Sequence, residues 1–420
     1  MLLAGAGWLY RPGSDCGQQN PTETKPNIEL NDNAHGLLRA GWGRADVTLP
    51  WPVPVAGYPG FHRQVTRAEI PLEAQAVGVE VGALAIAVVS FDLLTVTEAI
   101  SDALRANGAA LGFDDVWVVA THSHSSVGGY DERWLAAWAG TGRPRDAIEQ
   151  ALIGAGKEAL NEAWGARCDA AFEWSTGQSE GLVQSRSGEA SVDTRIDRLR
   201  FVCEGGGAAQ FLILAAHPTL VPRDAKVAHP DFPGLLSQME RPSHEVTLVL
   251  QGAGGNAAAV VPDGTAPAPV RYAAALSKTL RGLVPRLREP AGAGVHFRLV
   301  RATLRLPALD ASRWVPQFLE RSIERVLCGS APKALSLRHW TLGPLALVAV
   351  PLEPTHEVAQ RLESAAGATR VIGLANGYAG YVEEETRVRR HAGESKRQYF
   401  VPNFAGQLGQ ALQALAPAQR

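Results

Sequence analysis

VWVVATHSHSSVGGY, residues 116–130, opens as an unbroken apolar run and turns polar within a single residue. A run of five or six apolar residues without alternation reads as a strand buried on both faces. Directly after it, His122-Ser-His124 puts two imidazoles at the strand's carboxyl end. In extended backbone, residues two apart face the same side, so both rings would point at one ion or one substrate. Taken alone, the pair is a weak signal and reads more readily as two polar residues in a Ser/Gly-rich loop.

The same design recurs outward along the chain. AVVSF delivers Asp92, FLILAA delivers His217, LALVAVP runs into Leu352 and delivers Glu353, and VIGLANG delivers Tyr378 and then Tyr381. In α/β proteins ligands lie outside the carboxyl ends of strands, and strand ends are rigid supports for a site. Five such ends imply one shared site. His217 by itself is also readable as a hydrogen-bonded core histidine. Glu353, directly after an apolar strand and Pro351, needs a partner if buried: a metal, an arginine or a protonated histidine. Two histidines with one carboxylate are a common catalytic zinc set that leaves a position for water. A tyrosine would add an oxygen ligand, since a bound cation lowers the pKa of a coordinated acid.

Elements alternate between these points. Strands are expected at Leu72–Val81 and Ala83–Phe91, paired as a hairpin around Gly82, and at Val116–Ala120, Arg198–Val202, Gln210–Ala216, Val246–Leu250, Val295–Leu304, Leu345–Val350 and Val371–Leu374. Helices are expected at Val96–Asn107, ended by Gly108, and at Asp146–Trp164, Arg271–Leu283, Trp314–Val326 and Phe404–Leu415. The fold class is α/β, with layered mixed β-sheets flanked by helices. No internal repeat stands out.

The 420 residues, 46% hydrophobic and 20% charged, allow a large core in one or two domains. A net charge of -2 gives no reason to expect nucleic acid as partner. The four cysteines, Cys16, Cys168, Cys203 and Cys328, form no C-x-x-C pair; they read as thiols, or as one or two disulfides in an exported protein. Leu2–Tyr10 is apolar but too short to span a bilayer, and reads as the tail of a signal or anchor. Residues 11–36 are polar and rich in Pro, Asn and Gly and read as a linker, leaving 37–420 as a single domain. Competing signatures fail. There is no H-E-x-x-H, no dinucleotide or Walker glycine motif opens a helix after a strand, and Ser126 and Val127 stand where a metallo-β-lactamase needs Asp and His.

The ordered set of short motifs resembles the neutral/alkaline non-lysosomal ceramidases, in particular their shorter bacterial members. Gly41-Trp-Gly-Arg-Ala-Asp-Val-Thr48 with Gly57-Tyr58 is similar to the family's opening. Ala120-Thr-His-Ser-His-Ser125 with Gly128-Gly129 resembles A-T-H-T-H-S-G-P-G-G, and Ser185-Arg186-Ser187 resembles N-R-S. His217-Pro-Thr219, Asp231-Phe-Pro-Gly234, Pro351-Leu-Glu353-Pro354 and Leu374-Ala-Asn-Gly-Tyr-Ala-Gly-Tyr-Val382 complete the series, from about Gly41 to Glu394. The resemblance implies an α/β catalytic domain with two sheets between helices. It also implies one zinc ion held by His122, His217, Glu353 and Tyr381, with Tyr381 favoured over Tyr378. His124 and Arg186 become catalytic, with His124 as general base and Arg186 orienting a substrate oxygen or anion. Asp92, Tyr378 and Asn256 become substrate-binding.

Departures accompany the match. The family serine is Ala257, its neighbouring aspartate is Gly255, and a second tyrosine is Gly393; the C-terminal β-sandwich of classical members has no counterpart in the sequence. Without that serine the nucleophile is metal-activated water. The expected reaction is hydrolysis of an amide or related acyl bond. The alternatives are an inactive metal- or lipid-binding relative, or a metal hydrolase of another fold with an H-x-H site. The substrate is a small molecule or lipid. It is anionic if the basic run Arg387, Arg389, Arg390, His391, Lys396 and Arg397 lines the mouth rather than forming a solvated face. Peripheral membrane contact and an exported or membrane-associated place are what the resemblance implies, with a cytoplasmic place left open.

Overall fold

The computed structural model describes residues 25–59, 63–188, 191–307, 309–328 and 331–417. The apolar Leu2–Tyr10 lies outside these. The polar stretch expected to be a linker does not hold as one. Its second half opens β1 (Asn27–Asp46), a strand of 20 residues. The exposed half, Asn27–Leu37, pairs antiparallel with 294–303 on one edge, and the buried half, Leu38–Asp46, pairs with 73–81. An edge strand with both faces near water carries no apolar alternation, so its sequence resembles a loop.

β1 joins three sheets. The first contains β2 (Glu73–Val81), β3 (Leu84–Phe91), helix α1 (Glu98–Leu111), β4 (Asp115–Ala120) and helix α2 (Asp146–Gly165). The second contains β5 (Cys168–Gln178), β6 (Arg195–Cys203), β7 (Ala208–Leu214), α3 (Asp231–Glu240), β8 (Val246–Gln251) and α4 (Ala268–Arg281). The third contains β9 (Gly294–Arg305), the outlying helix α5 (Gln317–Cys328), β10 (Ala334–Leu342), β11 (Leu345–Ala349), α6 (His356–Ala366), β12 (Arg370–Ile372) and α7 (Phe404–Gln413). One topology recurs in each: an antiparallel hairpin, then a helix that returns the chain to a strand parallel with the hairpin's second member. The parallel pairs are β3/β4, β7/β8 and β11/β12. The sequence shows no repeat because the recurrence lies in the order of elements, not in residues.

The inner faces of the three sheets share one core, with Val79, Ile86 and Trp117 meeting Phe172, Phe211, Phe297 and Leu347. Trp340 closes it; its ring lies 5.6 Å from Trp117, 6.1 Å from Phe211 and 5.8 Å from Phe297, one contact with each sheet. Each outer face is covered by its own helices: α1 and α2, α3 and α4, α6 and α7. Helix α1 passes through Gly108, where the sequence suggested a stop. A side chain there would stand 2.3 Å from Val116, so this glycine serves close helix–strand packing, and the helix ends instead at Gly112. Cys168 and Cys203 are joined as a disulfide across β5 and β6. Among the described residues, no helix is long and apolar enough to cross a membrane.

Candidate metal centre

The carboxyl ends of all six parallel-pair strands converge, and their loops are tied directly to one another. The Gln251 side-chain amide donates to the Thr121 carbonyl (2.9 Å), Gly373 N–H to the Gln251 carbonyl (2.8 Å) and Asn376 N–H to the Val118 carbonyl (2.7 Å). Loops after β4, β7, β11 and β12 therefore bring His122 and His124, His217, Glu353 and Tyr381 together, as their strand-end positions suggested.

The histidines converge for a different reason from the one the H-x-H spacing offered. His122 does not continue an extended strand; its φ is +72°. Left-handed backbone is uncommon at residues other than Gly, though His adopts it more readily than most, and such turns collect at functional sites. The turn swings His122 and His124 onto one point, with their Nε2 atoms 3.4 Å apart.

Hydrogen bonds fix the tautomers. Nδ1 of His122, His124 and His217 faces the carbonyls of Leu94 (2.7 Å), Gly57 (2.8 Å) and Ala257 (3.1 Å). A carbonyl only accepts, so each Nδ1 carries the proton and each Nε2 presents a lone pair. Into the same space points Glu353 Oε2, 3.0 Å from His122 Nε2 and 3.4 Å from His217 Nε2. That oxygen is buried without a hydrogen-bond donor. The short His–Glu contacts thus bring acceptor against acceptor and are not hydrogen bonds in the neutral state. The other carboxylate oxygen accepts from the Tyr378 hydroxyl at 2.7 Å. The Tyr381 hydroxyl donates to His217 Nε2 at 3.0 Å and accepts from Arg186 at 2.8 Å.

Burial pushes His217 down to about 4 and holds His124 well below its ordinary range, helped by the neighbouring histidines. Burial opposes ionisation of Glu353; where His122 and His217 are protonated, their charge and hydrogen bonds outweigh it and hold the carboxyl well below its usual range. The phenol of Tyr381 is pushed well up, by burial first and by Glu353 next. A bound cation would reverse that last effect. A buried anion among neutral lone pairs is short of positive charge, and a metal ion fits the deficit. The nitrogen and oxygen donors suit zinc, and ligands about 2.0–2.1 Å from a tetrahedral ion stand roughly 3.3 Å apart. His122, His124 and His217 by themselves meet the spacing for a metal site. His124 is the partly exposed member of the three, so its accessible side marks the approach to the cluster.

The remaining expected residues are placed differently. Arg186 donates to Glu394 (2.9 Å), the Gly255 carbonyl (2.9 Å) and Tyr381 (2.8 Å), so it braces Tyr381. Asn256 bridges the loops, accepting from His356 N–H (3.0 Å) and donating to the Ser191 carbonyl (2.8 Å). Asp92 turns to the Glu73 N–H at 3.2 Å, and its own carbonyl accepts from Ser126. Much of the basic run is matched by acids: Arg387 with Glu357, Arg389 with Glu385, Arg397 with Glu394. Two departures from the ceramidase motifs are built into the backbone. A side chain on Gly255 would come within 2.7 Å of the Glu353 carbonyl. One on Gly393, at φ +60°, would come within 2.2 Å of the Glu383 carboxylate.

The structure aligns over 91% of this chain and 75% of the other with neutral ceramidase from Pseudomonas aeruginosa, at a TM-score of 0.75 and 17% identity. A ceramidase complexed with C2 aligns over 91% and 76%, at 0.73 and 17%. This chain has the neutral ceramidase fold. No family model and no curated protein matches the sequence. The shared fold disposes of the reading as another architecture carrying an H-x-H site. The sequence did not single out Tyr58, whose ring lies 5.6 Å from that of His124, or Arg223, 4.4 Å from the centre of the Tyr58 ring. Tyr58 lay within a quoted motif but carried no role there, and Arg223 sits in a polar loop that gave no signal.

Proposed function

We propose that the protein is a zinc-dependent hydrolase of an amide or related acyl bond, acting on an N-acyl lipid or a smaller N-acyl compound. The observation that carries the reading is the meeting of three Nε2 lone pairs with the unpartnered Glu353 Oε2. His122, His217, Glu353 and Tyr381 would hold one ion. Such an ion supplies Lewis acidity, which makes water nucleophilic near neutral pH and polarises a carbonyl. The chain's own groups do the rest. Nδ1–H bonds to Leu94 and Ala257 aim His122 and His217, and Tyr378 fixes the Glu353 carboxylate. His124, neutral and partly exposed, is available to take a proton at Nε2 and return it to the leaving amine. Arg186 braces Tyr381 and opposes the rise in its phenol pKa.

With Ala257 at the family serine's place, no hydroxyl is offered there. Its carbonyl instead orients His217, through bonds from both His217 N–H and Nδ1–H. The strand β1, to which the site's sheets are joined, begins at Asn27. The Cys168–Cys203 disulfide supports an exported or surface place for it. The test is turnover: zinc-loaded protein should release fatty acid from a panel of N-acyl lipids and N-acyl amino acids, and His124→Ala should not. A loaded wild type that releases nothing would leave the inactive metal- or lipid-binding relative as the better account.

A further inference from the structure

The approach to His124 is flanked by arginines stacked on aromatic rings. The guanidinium carbons of Arg186 and Arg397 lie 5.4 and 5.6 Å from the centre of the Tyr381 ring. Both arginines share the Glu394 carboxylate, so their charge is partly cancelled. Arg223 stands 4.4 Å above the Tyr58 ring, and that ring is 5.6 Å from His124. It is exposed, and among the described residues no carboxylate forms an ion pair with it. Its neighbour Asp224 acts on Arg63 instead. Arg133, nearby on the Tyr378 side, is matched by Asp131. Of the cations stacked on the site's rings, Arg223 therefore keeps a whole charge. It is held in place by its ring, with a fork of donors still able to take an oxyanion.

We propose that Arg223 on Tyr58 is an anion subsite, and that the substrate's amine half carries a carboxylate: an N-acyl amino acid rather than the amide of a neutral amino alcohol. This rests on the reading of the cluster as an amide hydrolase. One tyrosine ring separates the guanidinium from His124. An anion held there sits on a small leaving group while the scissile carbonyl lies over the cluster, and the acyl chain extends away from Arg223.

The experiment compares N-dodecanoylglycine with its uncharged carboxamide, N-dodecanoylglycinamide, on zinc-loaded wild type, Arg223→Ala and Arg223→Lys. The wild type should favour the acid at least about tenfold in kcat/KM, the size of one charge-assisted contact. Arg223→Ala should bring the ratio toward one, chiefly by raising KM for the acid, and Arg223→Lys should restore part of it. A wild-type ratio near one, or an unchanged ratio in Arg223→Ala, overturns the subsite while leaving the hydrolase reading intact. If neither compound is cleaved, the hydrolase reading rests on the wider N-acyl panel, and calorimetric titration of the same two compounds decides the subsite. Tighter binding of the acid, lost in Arg223→Ala, supports it; equal affinities overturn it.

Discussion

Glu353→Gln separates the two jobs done by one carboxylate. In the metal-free protein Oε2 is a buried acceptor facing the Nε2 lone pairs of His122 and His217 at 3.0 and 3.4 Å. A glutamine puts an NH₂ there, which can donate to both, while its carbonyl keeps the bond from Tyr378. An unmet buried acceptor costs about 1–3 kcal/mol. Unfolding entropy of about 2 cal/mol/K per residue over 420 residues makes 1 kcal/mol worth roughly 1 °C. The stripped variant should therefore melt about 1–3 °C above stripped wild type. The metal response should go the other way. Zinc at a thousand times its Kd stabilises a native site by about 4 kcal/mol, close to 5 °C here. Glu353→Gln should forfeit most of that, having lost the anion. Differential scanning calorimetry of chelated and reloaded samples, with elemental analysis, reads both effects. If stripped Glu353→Gln melts below stripped wild type, the acceptor-against-acceptor description is wrong. If zinc neither binds wild type nor raises its Tm, the metal centre is wrong.

The same geometry sets other outcomes. His124→Ala should keep most bound zinc and lose activity by about 10²–10⁴-fold, the loss expected for a general base, whereas Tyr381→Phe should lower metal content; zinc lost in His124→Ala would instead make the three histidines the ligand set. Burial, and then the charge of Glu73, raise Asp92 from 3.8 to about 8. Its folded pKa lies above its unfolded value, so its contribution is complete below pH 3.8 and declines as pH rises to about 8. Asp92→Asn should flatten that decline and be the more stable protein at about pH 9, above the folded pKa, as denaturant midpoints across pH will report. Replacing Cys168 and Cys203 together with alanine opens a loop with a sequence separation of 35. This should lower unfolding free energy by up to about 4 kcal/mol in urea titrations; an unchanged midpoint would show that the bond constrains nothing the fold does not.

The buried strands and the chemistry at their ends were legible in the chain alone. Runs such as AVVSF and FLILAA, short and unalternating, read as interior strands, and a polar residue directly after one is held at a sheet's rim. His122, His217, Glu353 and Tyr381 could be picked for that reason, with the ceramidase-like motifs choosing Tyr381 over Tyr378. How those rims meet was settled by packing. The left-handed turn at His122, not strand alternation, aims the H-x-H pair, because local spacing cannot report a φ imposed by the packing of three sheets. The strand from Asn27 to Gly36 looked like a linker because its partner lies some 270 residues away at β9 and one of its edges stays in water. Asp92 stood at the right strand end and Asn256 was expected to bind substrate, but neighbours distant in sequence turned both to structural bonds. Arg223 reaches the site only because the fold lays its loop on Tyr58. Burial preference and strand length are local properties and are written in the chain. Whether a side chain points at the cluster depends on contacts between lobes, and those exist only in the folded protein.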